Sequence, residues 1–257
     1  MATPGTSTGT GSWLRRLHTP LPDAPQLICF PHAGGAASAF IALARALAPE
    51  IEVLAVQYPG RQDRRLEPAA TRLGPVAEAV AAELRLQAGR PYALFGHSMG
   101  ALVAYETARL LGPGQDQHRH QGPARLFVSG RGAPSLGPGR ADRVSNDAEL
   151  IARIRLLGGT SGAVFDDPEL LEMVLPALRA DYRALSGYHW SAQPQLHCPL
   201  TALVGDADPV VPVEEAGAWR GLTTGPTELE VFPGGHFYLD TAADQLAKVI
   251  RTALQSA

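Results

Sequence analysis

The stretch GHSMG at residues 96–100 lies where an apolar run ends and a helix-like pattern begins. The run covers residues 91–95, and the alanine-rich pattern covers residues 101–111. A serine at a sharp turn from a strand into a helix is strained, and neighbours without bulky side chains allow the two elements to approach closely. The two glycines of the stretch meet that need. The sequence therefore predicts a nucleophile elbow that places Ser98 above a sheet and beside a helix N-terminus.

A second stretch of the same pattern, GTSTG at residues 5–9, lacks that context. It lies in an N-terminus rich in glycine, threonine and serine, with no strand pattern before it and no helical pattern after it. Segments of this composition do not bury enough apolar surface to fold. We therefore predict a disordered tail over residues 1–20.

Apolar runs and helix-like patterns alternate along the rest of the chain. The runs are rich in apolar, β-branched or aromatic residues, as in strands buried on both faces of a sheet. They lie at residues 26–30, 51–57, 92–95, 125–129, 200–204 and 228–232. The helical patterns lie at residues 40–48, 73–87, 101–111, 213–219 and 242–254. This alternation predicts one α/β domain over residues 21–257, with a doubly wound, mostly parallel sheet.

One segment, from about residue 134 to residue 188, breaks the alternation. Two helical patterns, 147–157 and 168–185, follow each other there with no strand pattern between them. We interpret the segment as a helical lid inserted into the sheet fold; the alternative is that its helices complete the core. Its apolar residues either line an acyl-binding pocket or pack in the core. They are Leu150, Ile151, Ile154, Leu157, Leu171, Val174, Leu175 and Leu178.

Two loops that follow strand patterns carry the partners that a nucleophilic serine needs. GDADP at residues 205–209 follows one strand pattern, and PGGHF at residues 233–237 follows the next. A serine hydrolase with this order of residues uses a histidine base and an orienting acid placed after the nucleophile. His236 is the predicted general base. Asp206 and Asp208 both lie on the first loop, and spacing alone does not separate the acid from a turn residue that bonds its own backbone.

An oxyanion hole requires one N–H from the residue after the serine and a second from a loop after an early strand. Met99 supplies the first. The strand pattern at 26–30 runs into PHAGG at residues 31–35, a loop of small residues whose backbone can approach a substrate. We therefore predict the N–H of Ala33 as the second donor; the alternative is an ordinary strand-to-helix turn.

Composition limits the other function classes. The net charge of −3 over 257 residues is too small to favour nucleic acid or an anionic membrane as a partner. The sequence contains no run of about 18 apolar residues, and its N-terminus has no charged region followed by an apolar one. We therefore expect a cytoplasmic protein without a membrane span or a secretory signal.

The cysteines and histidines give no support for a metal site. Cys29 and Cys198 lie far apart in strand-like contexts, and we expect buried free thiols rather than a disulfide. His118 and His120 form the pattern H-x-H in a polar loop, but the sequence offers no third ligand beside them. We expect neither a metal nor a cofactor.

Seven segments carry a resemblance that covers the chain from about residue 25 to its end. They are FPHAGG (30–35), QYPGR (57–61), GHSMG (96–100), RGAP (131–134), LRADY (178–182), GDADP (205–209) and GGHF (234–237). Together they resemble the stand-alone type II thioesterases of the α/β-hydrolase superfamily. These are the editing enzymes that accompany polyketide synthases and non-ribosomal peptide synthetases in antibiotic biosynthesis.

The resemblance implies an α/β-hydrolase fold with a flexible helical lid. It also implies a triad of Ser98, Asp208 and His236, since the family's acid is the aspartate that precedes a proline. The N–H groups of Met99 and Ala33 would then form the oxyanion hole. The implied reaction removes aberrant acyl groups from the phosphopantetheine arm of acyl or peptidyl carrier proteins, through an acyl-serine and without a cofactor. We expect a monomer, since no long exposed apolar stripe suggests an obligate interface.

Three other functions are compatible with the sequence. A triad does not separate thioester from oxygen-ester hydrolysis, so a carboxylesterase or lipase is the first alternative. The second is a product-releasing thioesterase, and the third is a non-catalytic scaffold of hydrolase fold. Arg61, Arg64 and Arg65 form a candidate docking patch for an acidic carrier protein; the alternative is a solvated loop.

Overall fold

Seven strands form one sheet in the computed structural model, which describes residues 12–86, 90–112, 122–137, 139, 142–158 and 166–255. The strands are β1 (Leu14–Arg16), β2 (Gln26–Phe30), β3 (Glu52–Val56), β4 (Tyr92–His97), β5 (Leu126–Ser129), β6 (Leu200–Gly205) and β7 (Thr227–Phe232). The α-helices are α1 (Ile41–Leu47), α2 (Leu73–Leu86), α3 (Met99–Leu111), α4 (Asp147–Leu157), α5 (Pro168–Ser186), α6 (Val213–Gly217) and α7 (Ala243–Gln255).

The sheet is mostly parallel and is covered by helices on both faces. Its strand order is β1-β3-β2-β4-β5-β6-β7, and every neighbouring pair is parallel except β1 with β3. Alternate side chains of the central strands point to opposite faces. Ile28 and Leu94 pack in one apolar cluster with α2 and α3, whereas Leu27 and Phe95 pack in another with α1 and α7. The predicted α/β class, with a doubly wound and mostly parallel sheet, is therefore confirmed.

The N-terminal part of the chain differs from the prediction. Leu14 to Arg16 form the antiparallel edge strand β1, in which Leu14 pairs with Val56. The prediction of a disordered tail over residues 1–20 is therefore wrong for this part, while residues 1–11 lie outside the described residues. Three residues are too few to show an alternating pattern, and two of these three are arginines. Only the pairing with β3 makes this segment a strand.

The last strand, β7, also differs from the prediction. The sequence pattern predicts burial on both faces, but Thr227 to Val231 are all exposed and only Phe232 of this strand is buried. The reason is its position, because β7 ends the sheet order and has only β6 as a neighbour among the described strands. Its apolar residues Leu229 and Val231 remain 41% and 47% exposed. An apolar run therefore predicted the strand correctly but not its burial.

The segment between β5 and β6 carries α4 and α5, and the described residues between them include no strand. Asn146 caps α4 by accepting the N–H of Glu149, and Asp167 caps α5 by accepting the N–H groups of Glu169 and Leu170. The two helices share an apolar cluster that is separate from the two sheet faces. Its buried members are Leu150, Ile154, Leu175, Leu178 and Tyr182. Only the C-terminal end of α5, at Ala184 and Leu185, packs in the apolar cluster that α2 and α3 form with one face of the sheet.

Among the described residues, no helix has the length and apolar character needed to cross a membrane.

Candidate active site

The elbow predicted at residues 96–100 is present between β4 and α3. Ser98 has φ of 56° and ψ of −117°, a conformation that costs a residue with a side chain about 1–3 kcal/mol. A Cβ atom on Gly96 would lie 2.2 Å from the carbonyl oxygen of Gly100, and one on Gly100 would lie 2.0 Å from the carbonyl oxygen of Phe30. Both positions therefore need glycine because backbone atoms fill the space that a methyl group would take.

The side chains of Ser98, His236 and Asp208 form one hydrogen-bonded line. His236 Nε2 lies 3.0 Å from Ser98 Oγ, and His236 Nδ1 lies 2.7 Å from Asp208 Oδ2. The side chains of His236 and Asp208 are 2% and 0% exposed. When Nδ1–H donates to Asp208, Nε2 is free to accept the hydroxyl proton of Ser98. The structure therefore brings together the three residues that the sequence predicted for acyl transfer.

The two aspartates of the 205–209 loop have different partners. The second oxygen of Asp208, Oδ1, accepts the N–H groups of Val210 and Val211 at 2.9 and 3.1 Å, which fixes the plane of the carboxylate. Asp206 is exposed and accepts the N–H of Gly234 at 2.9 Å. Asp206 therefore ties this loop to the loop that carries His236, and among the described residues its side chain makes no hydrogen bond to the imidazole.

The two predicted oxyanion donors lie beside Ser98. Met99 is the first residue of α3, and the N–H groups of the first helical turn have no acceptor within the helix. Ala33 lines the same pocket as Ser98 and His236, on the loop that follows β2. Among the described residues, the N–H of Ala33 has no hydrogen-bond acceptor. Both N–H groups thus lack an acceptor in the described part of the chain.

The pocket over Ser98 is closed on one side by the inserted helices. Ile154 and Leu157 of α4 and Tyr182 and Leu185 of α5 line it together with the site residues. Of the eight apolar residues predicted for this segment, Ile154 and Leu157 line the pocket. The other six do not, and all six pack in or against the cluster between α4 and α5.

A second histidine, His97, is buried against the predicted base. Its ring centroid lies 5.1 Å from that of His236, and its Nδ1 lies 2.9 Å from Ser129 Oγ. Ser129 Oγ lies in turn 2.7 Å from the hydroxyl of Tyr238. Burial lowers the pKa of His97 well below its ordinary value, and the neighbouring His236 and His32 add to the shift. The uncharged ring of His97 therefore packs against the ring of His236.

The neutral state of His97 predicts a stability loss in acid. The unfolded chain protonates this residue near pH 6.5, but the folded chain does not, so the free energy of unfolding falls as the pH drops below 6.5. At pH 5 this single residue is expected to cost about 2 kcal/mol. Urea unfolding at pH 7 and pH 5 checks the prediction. Wild type should lose about 2 kcal/mol more than His97→Gln, which keeps a polar group but does not titrate; equal losses would contradict it.

Neither the candidate docking patch nor its alternative, a solvated loop, fits two of the three arginines at residues 61, 64 and 65. The side chain of Arg61 is 5% exposed and pairs with Asp181. That of Arg64 is 9% exposed, pairs with Glu67 at 2.6 Å and lies over the ring of Trp13. Arg65 is exposed. Asp181 and Trp13 lie far from these arginines in the sequence, and Glu67 is brought close by the turn of the loop. The spacing of the arginines alone therefore does not predict that two of them are buried.

The remaining predictions for cysteines and metals have mixed outcomes. Cys29 and Cys198 are free thiols, of which Cys29 is buried and Cys198 is partly exposed. The H-x-H pair of His118 and His120 lies outside the described residues. Within the described ranges, no group of three or more metal-ligating side chains is found.

The sheet, the elbow and the line of contacts from Ser98 to Asp208 are those of an enzyme with the α/β-hydrolase fold. A family model described as a thioesterase domain matches residues 25–255. The chain therefore belongs to the thioesterase family, and it is a hydrolase.

Individual relatives agree with this assignment. The chain is 48% identical over 233 residues to Thioesterase PikA5 of Streptomyces venezuelae, covering 90% of this chain and 81% of the relative. It is 38% identical over 215 residues to the Gramicidin S biosynthesis protein GrsT of Aneurinibacillus migulanus, covering 83% and 82%. The solved type II thioesterase BorB from the borrelidin biosynthetic cluster aligns with a TM-score of 0.83 and 46% identity, covering 94% and 97%. The predicted resemblance and the predicted fold class are thus confirmed.

Proposed function

We propose that this protein is a type II thioesterase that removes acyl groups from the phosphopantetheine arm of acyl or peptidyl carrier proteins in a polyketide or non-ribosomal peptide pathway. The line of contacts from Ser98 through His236 to Asp208, at 3.0 and 2.7 Å, carries the proposal. The pathway is supported by similar solved structures, among them a type II thioesterase from the yersiniabactin NRPS/PKS pathway and a protein from the colibactin NRPS/PKS pathway. A carrier protein as partner follows from that pathway, because such synthases hold their acyl groups on carrier proteins.

The first half of the reaction forms an acyl-serine. His236 Nε2 takes the hydroxyl proton while Ser98 Oγ attacks the thioester carbonyl carbon. The carbonyl oxygen becomes an oxyanion and accepts the N–H groups of Ala33 and Met99. The carbon–sulfur bond then breaks, and His236 returns the proton to the sulfur, so the arm leaves as a thiol.

The second half releases the acid. His236 removes a proton from water, and the hydroxide so formed attacks the acyl carbon through a second tetrahedral oxyanion held by the same N–H groups. The bond to Ser98 Oγ breaks, and His236 protonates that oxygen. Asp208 accepts the Nδ1–H throughout and stabilises the imidazolium present in both transition states.

The inserted segment over residues 134–188 acts as a lid in this proposal. Its residues Ile154, Leu157 and Tyr182 line the same pocket as Ser98, and we place the acyl chain of the substrate there. The phosphopantetheine arm must reach the same serine from outside, because it stays attached to the carrier protein.

Substrate preference tests the proposal. We expect thiol release from an acyl carrier protein to exceed hydrolysis of an oxygen ester with the same acyl group by at least roughly tenfold in kcat/KM, because contacts with the carrier and the arm add binding energy. Ser98→Ala serves as the blank for both substrates. A faster reaction with the oxygen ester, and no Ser98-dependent thiol release, would instead identify an esterase.

A further inference from the structure

A buried carboxylate joins the inserted helix α5 to the loop that carries Ala33. Asp181 is 3% exposed, and its Oδ2 accepts the N–H of Gly34 at 2.7 Å. The same oxygen pairs with the guanidinium of Arg61. Gly34 directly follows Ala33, whose N–H is the second oxyanion donor in the proposed mechanism. The carboxylate therefore fixes the peptide next to that donor.

A second contact between α5 and the loop lies one helical turn earlier. Gly34 has φ of +76°, and a Cβ atom built on it would lie 2.4 Å from Leu178 Cδ2. Leu178 is itself buried in the cluster between α4 and α5. The loop is thus held against α5 both by a hydrogen bond and by close packing.

The loop after β3 completes this support from the other side. Arg61 lies 5.1 Å from the ring centre of Tyr58, whose hydroxyl donates to the carbonyl oxygen of Pro31 at 3.2 Å. Gln57 donates to the carbonyl oxygen of Arg61 at 3.0 Å and accepts the N–H of Ala37 at 2.9 Å. Residues 31–37 are therefore fixed near both ends by this loop and in the middle by Asp181.

We infer that Asp181 is a positioning residue for the oxyanion hole and that it makes the placement of the Ala33 N–H depend on the docking of α5. This inference rests on the proposed function. The carboxylate of Asp181 does not touch the substrate. It orients the loop after β2, whose Ala33 N–H is the donor to the substrate oxygen in the proposed mechanism. When α5 moves away from the loop, Gly34 loses its acceptor and Arg61 its counter-ion, so the second oxyanion donor is no longer held beside Ser98.

The test compares two double variants that differ in a single acceptor. Asp181→Leu with Arg61→Met removes the acceptor for Gly34, and Asp181→Asn with Arg61→Met keeps an amide oxygen in its place. Arg61 is replaced in both because a buried guanidinium without its counter-ion would destabilise the fold. We call these variants the leucine pair and the asparagine pair, after the residue introduced at position 181. If the leucine pair does not fold, Asp181→Ala with Arg61→Met replaces it. Asp147→Asn is the matched control, since it breaks an exposed ion pair between α4 and Arg179 of α5 without contacting the loop.

The readouts separate transition-state from ground-state binding. They are kcat for thiol release, inhibition by an acyl trifluoromethyl ketone, which forms a tetrahedral oxyanion on Ser98, and the Kd of a thioether analogue, which forms none. For the leucine pair we expect kcat and affinity for the ketone to fall roughly 10- to 100-fold, with the Kd of the thioether changing less than about threefold. The asparagine pair should recover most of the loss, and Asp147→Asn should resemble wild type.

Two results would overturn the inference: equal losses in the leucine and asparagine pairs, or a leucine pair in which kcat and ketone affinity match the control. Neither would affect the proposed function if wild type shows Ser98-dependent thiol release. Absence of that release in wild type would refute the proposed function instead, so the two failures are distinguishable.

Discussion

Replacing Asp208 by asparagine is expected to lower kcat by about 10⁴-fold, whereas the same change at Asp206 should leave it within about threefold. Asp208 Oδ1 accepts two backbone N–H groups, from Val210 and Val211, and an asparagine would keep its oxygen there. Its NH₂ group would then face His236 Nδ1, which must become the acceptor. The proton would move to Nε2, and the ring would lose the lone pair that receives the proton of Ser98.

Asp206→Asn is the matched control on the same loop. Its amide oxygen can still accept the N–H of Gly234, so the loop should keep its position. Thiol release under saturating acyl carrier protein gives kcat for both variants, and circular dichroism verifies that both are folded. A large loss with Asp206→Asn and a small one with Asp208→Asn would assign the acid to Asp206 and contradict the geometry.

Gly100→Ala is expected to reduce the free energy of unfolding by more than about 3 kcal/mol or to prevent folding. The added Cβ would lie 2.0 Å from the carbonyl oxygen of Phe30 and 2.6 Å from that of Pro31. Both are backbone atoms, and Phe30 belongs to a central strand, so neither can turn aside as a side chain would. Relief requires α3 to move away from β2, and this movement would also displace Ser98.

Gly221→Ala provides the comparison for that experiment. Gly221 is exposed, and a Cβ atom built on it has no neighbour within 4 Å beyond the adjoining residues of the chain. Since its φ lies outside the left-handed region and alanine restricts the unfolded chain more than glycine does, this variant should equal or exceed wild type in stability. Urea unfolding of the two variants measures the difference. A Gly100→Ala protein whose free energy of unfolding lies within about 1 kcal/mol of wild type would contradict the prediction. It would show that the elbow tolerates a wider separation of α3 from β2.

Local patterns were sufficient to predict most elements and the loops that carry the site. The prediction for α4 matches both ends, because a capping asparagine precedes it and a glycine follows it. His236 and both aspartates could be placed near Ser98 because the C-terminal ends of parallel strands meet at one edge of a sheet. The choice between Asp206 and Asp208 needed the folded chain, since two residues on one loop have the same spacing relations.

Features that depend on contacts between distant parts of the chain could not be predicted from the sequence. β1 is a strand only because it pairs with β3, and the exposure of β7 follows from its place at the end of the sheet. Arg61 and Asp181 are 120 residues apart in the chain but in contact in the fold. The sequence contains only a weak indication of this ion pair. Arg61 and Asp181 each lie in a segment that resembles the type II thioesterases, but nothing in the sequence shows that the two segments are in contact.

The exposed strand β7 has a consequence for self-association. A strand at the end of a sheet offers unpaired N–H and C=O groups to any extended segment of another molecule. Here the strand presents two acidic side chains, Glu228 and Glu230, and Glu228 pairs with Arg125, which lies just before β5. A second copy of the same strand would bring carboxylates against carboxylates. Such charges on an edge strand disfavour the pairing of two copies through this strand.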